Sequence, residues 1–295
     1  MFSKTVRTVF AAILWQASAV AQAQPASKPT VKYGSNVAVG RTFTHDGVKL
    51  YYEVYGTGEP VLLIHGNGGN IASMTAQITY FRKHYQVIAM DSRDQGKSAD
   101  SPDNITYEKM ADDQAALLDH LKSPPVNVIG WSDGGIEALL LGIRHPEKVK
   151  KLASMAANLN PQGVYPEAEE LSNLLSDSIP AAAKDSSEAK RQMKVSQMMQ
   201  DEPHIDPEAL EAVKTPTLIL AGDHDLIRDE HTLEIYHHLP NSQLCIFPNA
   251  THMIPIDDPE LFNTTVDRFF RTPFEKKDRI KDLIKTVQRL MAEQH

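Results

Sequence analysis

The sequence predicts a doubly wound α/β fold built on a mostly parallel β-sheet. Short continuous apolar runs recur along the chain, as they do in strands that are buried on both faces. Segments with helical spacing of apolar residues lie between these runs, so strand and helix alternate. The composition is that of an ordinary globular chain of 295 residues, 41% hydrophobic and 23% charged, which excludes collagen-like and wholly disordered classes.

Eight strands are predicted. The first two form a hairpin, because two segments of alternating polarity flank the turn at Asp46-Gly47. The predicted strands are 41–44, 48–55, 61–64, 87–90, 126–129, 151–155, 217–221 and 243–247. The predicted helices between and after them are 107–121, 134–145, 230–239 and 259–270.

One long segment, 157–214, interrupts this alternation. It holds helical stretches near 167–177, 187–200 and 207–213, and a structureless loop of that length would be unusual inside a compact domain. We therefore expect a helical insertion over one end of the sheet, which divides the core into residues 36–156 and 215–273.

The N-terminal residues 1–23 have the pattern of an export signal. Lys4 and Arg7 precede an apolar run that is too short to span a bilayer, and small residues at positions 21 and 23 offer a cleavage site after Ala23. The alternative is an uncleaved anchor or a disordered tail. The sequence thus predicts an exported protein, periplasmic or secreted, with no stable membrane span after signal removal and a flexible leader over 24–35.

The C-terminal segment 274–295 predicts an amphipathic helix. Apolar residues from Ile280 to Met291 form one stripe, and Lys and Arg fill the opposite face. We expect this helix to dock on the domain. A membrane-surface helix or a dimer helix is the alternative, and the oligomeric state is not predicted.

Charge and cysteine content exclude several classes of function. Thirty Lys and Arg against 38 Asp and Glu give a net charge of −8 without a basic cluster, which argues against a nucleic-acid partner. Cys245 is the single cysteine, so an internal disulfide and a multi-cysteine metal site are both excluded, and a buried strand thiol is expected. We predict no metal and no cofactor.

The strongest motif is Gly130-Trp131-Ser132-Asp133-Gly134, which follows a predicted strand and precedes a predicted helix. A G-x-S-x-G sequence in that context is a nucleophile elbow. The sharp turn lifts the Ser132 hydroxyl above the carboxyl edge of the sheet and directs the backbone N–H of Asp133 toward a developing oxyanion.

A serine nucleophile needs a base and an acid that orients the base. His252 follows the last predicted strand and Asp225 follows the one before it, so the chain order is Ser, Asp, His. Asp225 is preferred over the rival Asp223 because it lies further into the loop, where its carboxylate can reach the histidine. These three residues form the predicted catalytic triad.

The second oxyanion donor is expected in the loop after strand 61–64. This loop reads His65-Gly66-Asn67-Gly68-Gly69, and its glycines permit close approach of the backbone to a substrate oxygen. We assign the donor to the backbone N–H of Asn67, and we expect His65 to organise the loop rather than to act as a base.

With these motifs in place, the chain resembles the α/β-hydrolase superfamily from the hairpin to Phe270. The segments that carry the resemblance are 65–66, 91–98, the elbow, the turn at Gly222 and the loop of His252. The resemblance implies an eight-stranded α/β-hydrolase fold in which 157–214 is a helical cap. Asp94 departs from the family pattern, because many relatives carry Gly there, so a local change of backbone is expected.

The segment 130–136 is similar to the valacyclovir-hydrolase (biphenyl-hydrolase-like) and carboxylesterase branch. In that branch an acid after the nucleophile is associated with α-amino ester substrates, which implies that Asp133 pairs with a substrate ammonium. The alternative is that Asp133 supplies only its N–H and caps the following helix. Trp131 and Asp133 are the candidate substrate-binding residues.

The predicted function is a serine hydrolase that cleaves carboxylic esters of small molecules through an acyl-enzyme on Ser132. A lactonase, a C–C bond hydrolase and a cofactor-free perhydrolase remain alternatives, because all use a Ser-Asp-His set on this fold. A non-catalytic binding protein is the alternative of another class, although it would have no need of a triad with an oxyanion loop.

Overall fold

A computed structural model of the protein describes residues 31–168, 170, 186–278 and 280–293. The predicted signal peptide and most of the predicted leader lie outside these residues. The same holds for most of the helix expected near 167–177. No helix in the described part of the chain is long and apolar enough to cross a membrane.

One sheet of eight strands organises the molecule, with the order β1-β2-β4-β3-β5-β6-β7-β8. β2 is antiparallel to both of its neighbours, β1 and β4. The other six strands, in the spatial order β4, β3, β5, β6, β7 and β8, run parallel to one another. The strands are β1 (Arg41–His45), β2 (Val48–Tyr55), β3 (Glu59–Ile64), β4 (Tyr85–Met90), β5 (Val126–Trp131), β6 (Val149–Met155), β7 (Thr217–His224) and β8 (Ser242–Thr251). The predicted fold, an eight-stranded mostly parallel α/β sheet, is confirmed.

Helices pack on both faces of this sheet. The helices bounded within the described part of the chain are α1 (Thr75–Phe81), α2 (Tyr107–His120), α3 (Asp133–Arg144), α4 (Ser187–Asp201), α5 (Asp229–His238), α6 (Ile254–Asp257), α7 (Pro259–Arg271) and α8 (Lys281–Ala292). Short 3₁₀ segments lie at Ile71–Met74, Pro146–Lys148, Pro161–Gly163 and Pro207–Ala212. The buried apolar side chains form two clusters. One cluster lies beneath α2, α3 and α5, and the other lies beneath α1 and α7. Successive residues of β3 belong alternately to the two clusters.

The last strand differs from the expectation of a fully buried run. Among the described strands, β8 pairs with β7 alone and forms one edge of the sheet, and most of its side chains are partly or fully exposed. Cys245 on this strand is half-buried, and burial raises the pKa of its thiol. An apolar run does not by itself reveal whether the strand lies in the middle of the sheet or at its edge.

The segment between β6 and β7 contains α4, which lies against the loop that follows β4. Lys194 Nζ of α4 is 3.1 Å from Asp94 Oδ1 and also donates to the carbonyl oxygen of Ser101. Asp94 has a φ of 60°, a left-handed backbone conformation that favours Gly. The Asp94 carboxylate therefore joins α4 to the loop after β4. The change of backbone expected at Asp94 and the limits of the cap both stay predictions.

The C-terminal helix α8 does not dock on the domain as expected. None of its residues is buried, and its large apolar side chains, from Leu283 to Met291, are 46–62% exposed. The prediction was wrong because amphipathicity shows only that a helix has an apolar face and does not identify the surface that covers it.

Candidate active site

Ser132 lies at the junction of β5 and α3. Its backbone has φ 59° and ψ −122°, a strained conformation for a residue other than Gly, and its N–H donates to the carbonyl oxygen of Met155. A Cβ on Gly130 would collide with the backbone of Gly134, and one on Gly134 would collide with the carbonyl oxygen of Ile64. Both glycines of the predicted elbow are therefore required by close backbone packing.

The structure brings Ser132, His252 and Asp225 together at hydrogen-bond distance. His252 Nε2 is 2.9 Å from Ser132 Oγ, and His252 Nδ1 is 2.7 Å from Asp225 Oδ1. The tautomer that satisfies both contacts carries its proton on Nδ1, which leaves Nε2 as the acceptor for the serine hydroxyl. The Asp225 side chain is fully buried and that of His252 is 13% exposed, so little water competes for the contacts.

The two rival acids after β7 have different positions. Asp225 turns inward and, besides His252, accepts the backbone N–H groups of Gly222 and Ile227. Asp223 points outward, where the N–H groups of Asn249 and Ala250 hold its pKa at about 2. Asp223 thus holds the backbone of residues 249–250, just before His252, by accepting their N–H groups. The sequence did not suggest this role.

His65 organises the loop after β3 from inside the protein. Its Nδ1–H donates to the Gly66 carbonyl oxygen at 2.8 Å, and its Nε2 accepts the backbone N–H of Ser92 at 3.0 Å. Burial lowers the pKa of His65, in keeping with the neutral ring that these two bonds require. Because a trans peptide places its C=O and N–H on opposite sides, holding the Gly66 carbonyl also orients the N–H of Asn67.

The two predicted oxyanion donors lie on loops that touch. A Cβ on Gly66 would lie 3.0 Å from Ser132 Cβ, so the loop after β3 passes directly over the elbow. In the part of the chain that the structure describes, no acceptor bonds the backbone N–H of Asn67 or that of Asp133. Two unused N–H donors beside a serine hydroxyl are the components of an oxyanion hole.

The side chain of Asp133, a candidate substrate contact, is buried beside the elbow. Its Oδ2 accepts Asn67 Nδ2 at 2.8 Å, which joins the two oxyanion loops through their side chains. Burial raises the pKa of this carboxyl, and no cation lies within ion-pair distance of it among the described residues. Burial also raises the pKa of the neighbouring Tyr107, and the Asp133 charge raises it further.

Trp131, the other candidate substrate contact, is hydrogen-bonded to the backbone of His252. Its indole Nε1 donates to the backbone carbonyl oxygen of His252 at 2.9 Å, and the two rings lie 6.1 Å apart between centroids. The polar atom of the side chain therefore holds the loop of His252, and its N–H is not free to donate to a substrate.

A buried polar network beneath the elbow was not predicted from the sequence. Glu137, one turn along α3 from Asp133, accepts Gln114 Nε2 at 3.0 Å and Ser92 Oγ at 3.3 Å. Burial raises the pKa of Glu137 to about 8, so it holds a proton at neutral pH. The sequence identified the segment 91–98 through its family resemblance. The contact of this segment with α3, from Ser92 to Glu137, forms only when the chain packs and could not be read from the sequence.

This arrangement can make a serine nucleophilic. His252 can take the Ser132 proton, Asp225 can stabilise the resulting imidazolium, and the two free N–H groups can bind a negatively charged oxygen. Within the described ranges, no cluster of three or more His, Cys, Asp or Glu side chains could hold a metal ion.

Comparison with known proteins identifies similar chains. A family described as alpha/beta hydrolase fold matches residues 59–204. Serine hydrolase BPHL of Mus musculus is 27% identical over 274 residues, which cover 84% of this chain and 91% of the relative. The 3-oxoadipate enol-lactonase 2 of Acinetobacter baylyi is 26% identical over 256 residues, which cover 77% of this chain and 94% of the relative.

Solved structures agree on the architecture. MGS-M2, an alpha/beta hydrolase from a Medee basin deep-sea metagenome library, aligns with a TM-score of 0.69 and 20% identity, covering 81% of this chain and 100% of that chain. At that identity the likeness concerns the fold.

Proposed function

The chain belongs to the α/β-hydrolase superfamily and is a serine hydrolase, and from this premise we propose that it cleaves carboxylic esters of small molecules through an acyl-enzyme on Ser132. The observation that carries the proposal is the continuous contact from Ser132 Oγ to His252 to the buried Asp225. A serine hydroxyl in contact with a base that is itself oriented by a carboxylate is the arrangement that acyl transfer requires.

The reaction proceeds in two steps. Ser132 Oγ attacks the ester carbonyl carbon while its proton passes to His252 Nε2, and the carbonyl oxygen becomes an oxyanion. The N–H groups of Asn67 and Asp133 stabilise this oxyanion. When the intermediate collapses, the bond to the alcohol oxygen breaks and His252 returns the proton to the alcohol. Water then attacks the acyl-enzyme by the same route and releases the acid and Ser132.

A panel of small esters with varied acyl chains, combined with fluorophosphonate labelling, tests the proposal. The wild type should hydrolyse at least one ester class and react with the probe, whereas Ser132→Ala should lose about 10⁵–10⁶ of kcat and all labelling. A matched Ser154→Ala variant, which alters a buried serine bonded to the Gly135 carbonyl, should retain labelling. A folded wild type that the probe never labels at Ser132 would contradict the proposal.

Within this function we propose that α-amino acid esters are among the substrates. The buried Asp133 carboxylate lies next to the nucleophile and lacks a cationic partner among the described residues, so a substrate ammonium would complete an ion pair. We expect kcat/KM for an aminoacyl ester to exceed that for the matched ester without the amine, and Asp133→Asn to abolish the difference. Equal values for the two esters in the wild type and in Asp133→Asn would refute the ammonium contact.

A lactone is the second candidate substrate, because a relative that matches over 94% of its own length is an enol-lactonase. The same triad opens a lactone, with the alkoxide retained on the acyl chain. A lactone in the panel distinguishes the two: a kcat/KM at least tenfold above that of the best open-chain ester would favour the lactonase.

Export is proposed from residues 1–23, whose pattern of charge, apolar run and small residues is that of a signal peptide. Expression of the full chain followed by N-terminal sequencing should find a new terminus at Gln24. An intact Met1 in the cytosolic fraction would contradict export.

A further inference from the structure

The C-terminal helix α8, together with its N-cap residue Ile280, carries an apolar stripe with a seven-residue repeat. Ile280 and Val287 occupy the first position of the repeat, and Leu283 and Leu290 occupy the fourth. The fifth position holds Ile284 and Met291, which widen the stripe. β-Branched residues at the first position with Leu at the fourth are the combination that favours two parallel strands in a coiled coil.

The first turn of the helix is capped from within the C-terminal segment itself. The carboxylate of Asp278 accepts the backbone N–H groups of Ile280 and Lys281, and the Asp278 N–H donates to Asp282, so the first turn is capped. Every apolar side chain on the stripe is nevertheless exposed. A helix of about 12 residues is marginal alone in water, so an apolar partner is needed for it to persist.

We propose that α8 pairs with α8 of a second copy of this chain, so that the hydrolase assembles as a dimer through a short parallel coiled coil. Covering the six apolar side chains in both copies would remove roughly 1,200 Å² of surface, the lower end of the range for stable interfaces. No charged residue occupies the first, fourth or fifth position of the repeat from 280 to 291, so identical stripes meet without like-charge repulsion.

The way the helix is joined to the domain permits this pairing. Phe274 packs against the core cluster beneath α7, and residues 275–280 follow it before α8 begins. Six residues of chain can span at most about 20 Å, enough to place the helix clear of its own domain while it stays close to it.

The charges on the polar face of α8 disfavour a membrane surface as the partner. Interfacial helices hold an excess of Lys and Arg that attracts anionic lipid. Here Lys281 lies 3.9 Å from Asp278 and Lys285 lies 3.6 Å from Asp282. Arg289 is likewise paired, 3.8 Å from Glu293. With its cations compensated along the helix, this face offers little net charge to a bilayer.

Sedimentation velocity of the full chain over a concentration series tests the proposal, with ester turnover or probe labelling as the measure of folding. The wild type should form a concentration-dependent dimer. The double variant Leu283→Gln/Leu290→Gln should raise the dimer dissociation constant on the order of 100-fold while turnover stays unchanged. The control Lys285→Gln, on the opposite face, should sediment as the wild type does.

The parallel arrangement predicts that identical positions meet. In a Cys245→Ala background, Val287→Cys should form an intermolecular disulfide on mild oxidation, whereas the neighbouring Gln288→Cys should not. A wild type that stays monomeric at high concentration, a dimer that the double variant leaves intact, or equal crosslinking of the two variants would overturn the proposal. So would monomeric protein that co-sediments with phosphatidylglycerol vesicles.

Discussion

Two carboxylates that lie two residues apart, Asp223 and Asp225, differ in what they contact. Asp225 is buried against the Nδ1 of His252, whereas Asp223 is exposed and accepts two backbone N–H groups from the segment before that histidine. One carboxylate is therefore placed to determine the tautomer of the imidazole, and the other to hold the loop that positions it. At this scale the chemistry depends on the direction of a side chain and not on the type of residue.

Substitution of the two acids separates these roles. Asp225→Asn should lower kcat about 10⁴-fold, because the amide can bond the imidazole in the wrong tautomer. Asp223→Asn should lower kcat/KM by no more than about tenfold, because its oxygen can still accept one backbone N–H. Steady-state kinetics on one ester, with circular dichroism to verify folding, measures both. Equal losses in the two variants would contradict the assignment.

At the scale of elements, α4 is joined to the loop after β4 by an ion pair. The Asp94 side chain is 1% exposed and that of Lys194 is 28% exposed, so the pair is better shielded from water than a surface salt bridge. Asp94 also accepts the backbone N–H of Ser101 with both oxygens. The left-handed backbone at this position is thus stabilised by contacts that a glycine could not make.

A double-mutant cycle with Asp94→Asn and Lys194→Met measures this connection. Asn tolerates the left-handed backbone and retains an acceptor for Ser101, so the first change removes mainly the charge. We expect a coupling free energy of about 1 kcal/mol from urea unfolding, at the upper end for exposed pairs because Asp94 is buried. If the double variant loses the sum of the unfolding free energies that the two single variants lose, the ion pair contributes nothing and other contacts hold α4.

At the scale of the whole molecule, a protonated carboxyl beneath the elbow links stability to pH. Glu137 is buried where α3 meets α2 and the loop after β4, and its pKa rises from 4.5 in the unfolded chain to about 8 in the fold. Below pH 4.5 both states hold the proton. Between about pH 4.5 and pH 8 only the folded state holds it, so the free energy of unfolding falls as the pH rises, and above pH 8 the dependence ends.

Glu137→Gln should remove this component of the pH dependence. The amide keeps hydrogen-bonding capacity toward Gln114 and Ser92 but cannot ionise. The difference in unfolding free energy between wild type and variant should change with pH by up to about 1.4 kcal/mol per unit within the window. Urea titrations at half-unit intervals from pH 5 to pH 9 measure it. A difference that stays constant with pH would mean that Glu137 is ionised in the native protein.

The sequence by itself determined the sheet, the elbow and the order of the triad residues, because these depend on local signals. Apolar runs predict buried strands, glycines at 130 and 134 permit a turn that no other residue allows, and the ends of parallel strands share one edge. Substrate, export and catalytic roles remain proposals.

Only the tertiary structure decided that Asp225, and not Asp223, contacts His252. The contacts of Asp133 with Asn67 and of Trp131 with His252 likewise appear only in the packed molecule. The exposure of α8 is a third outcome that the sequence did not determine. Each of these outcomes depends on which surfaces meet between segments far apart in the chain. A hydrophobic or polar pattern records what a residue can bury or bond, but the identity of its partner is a property of the packed molecule.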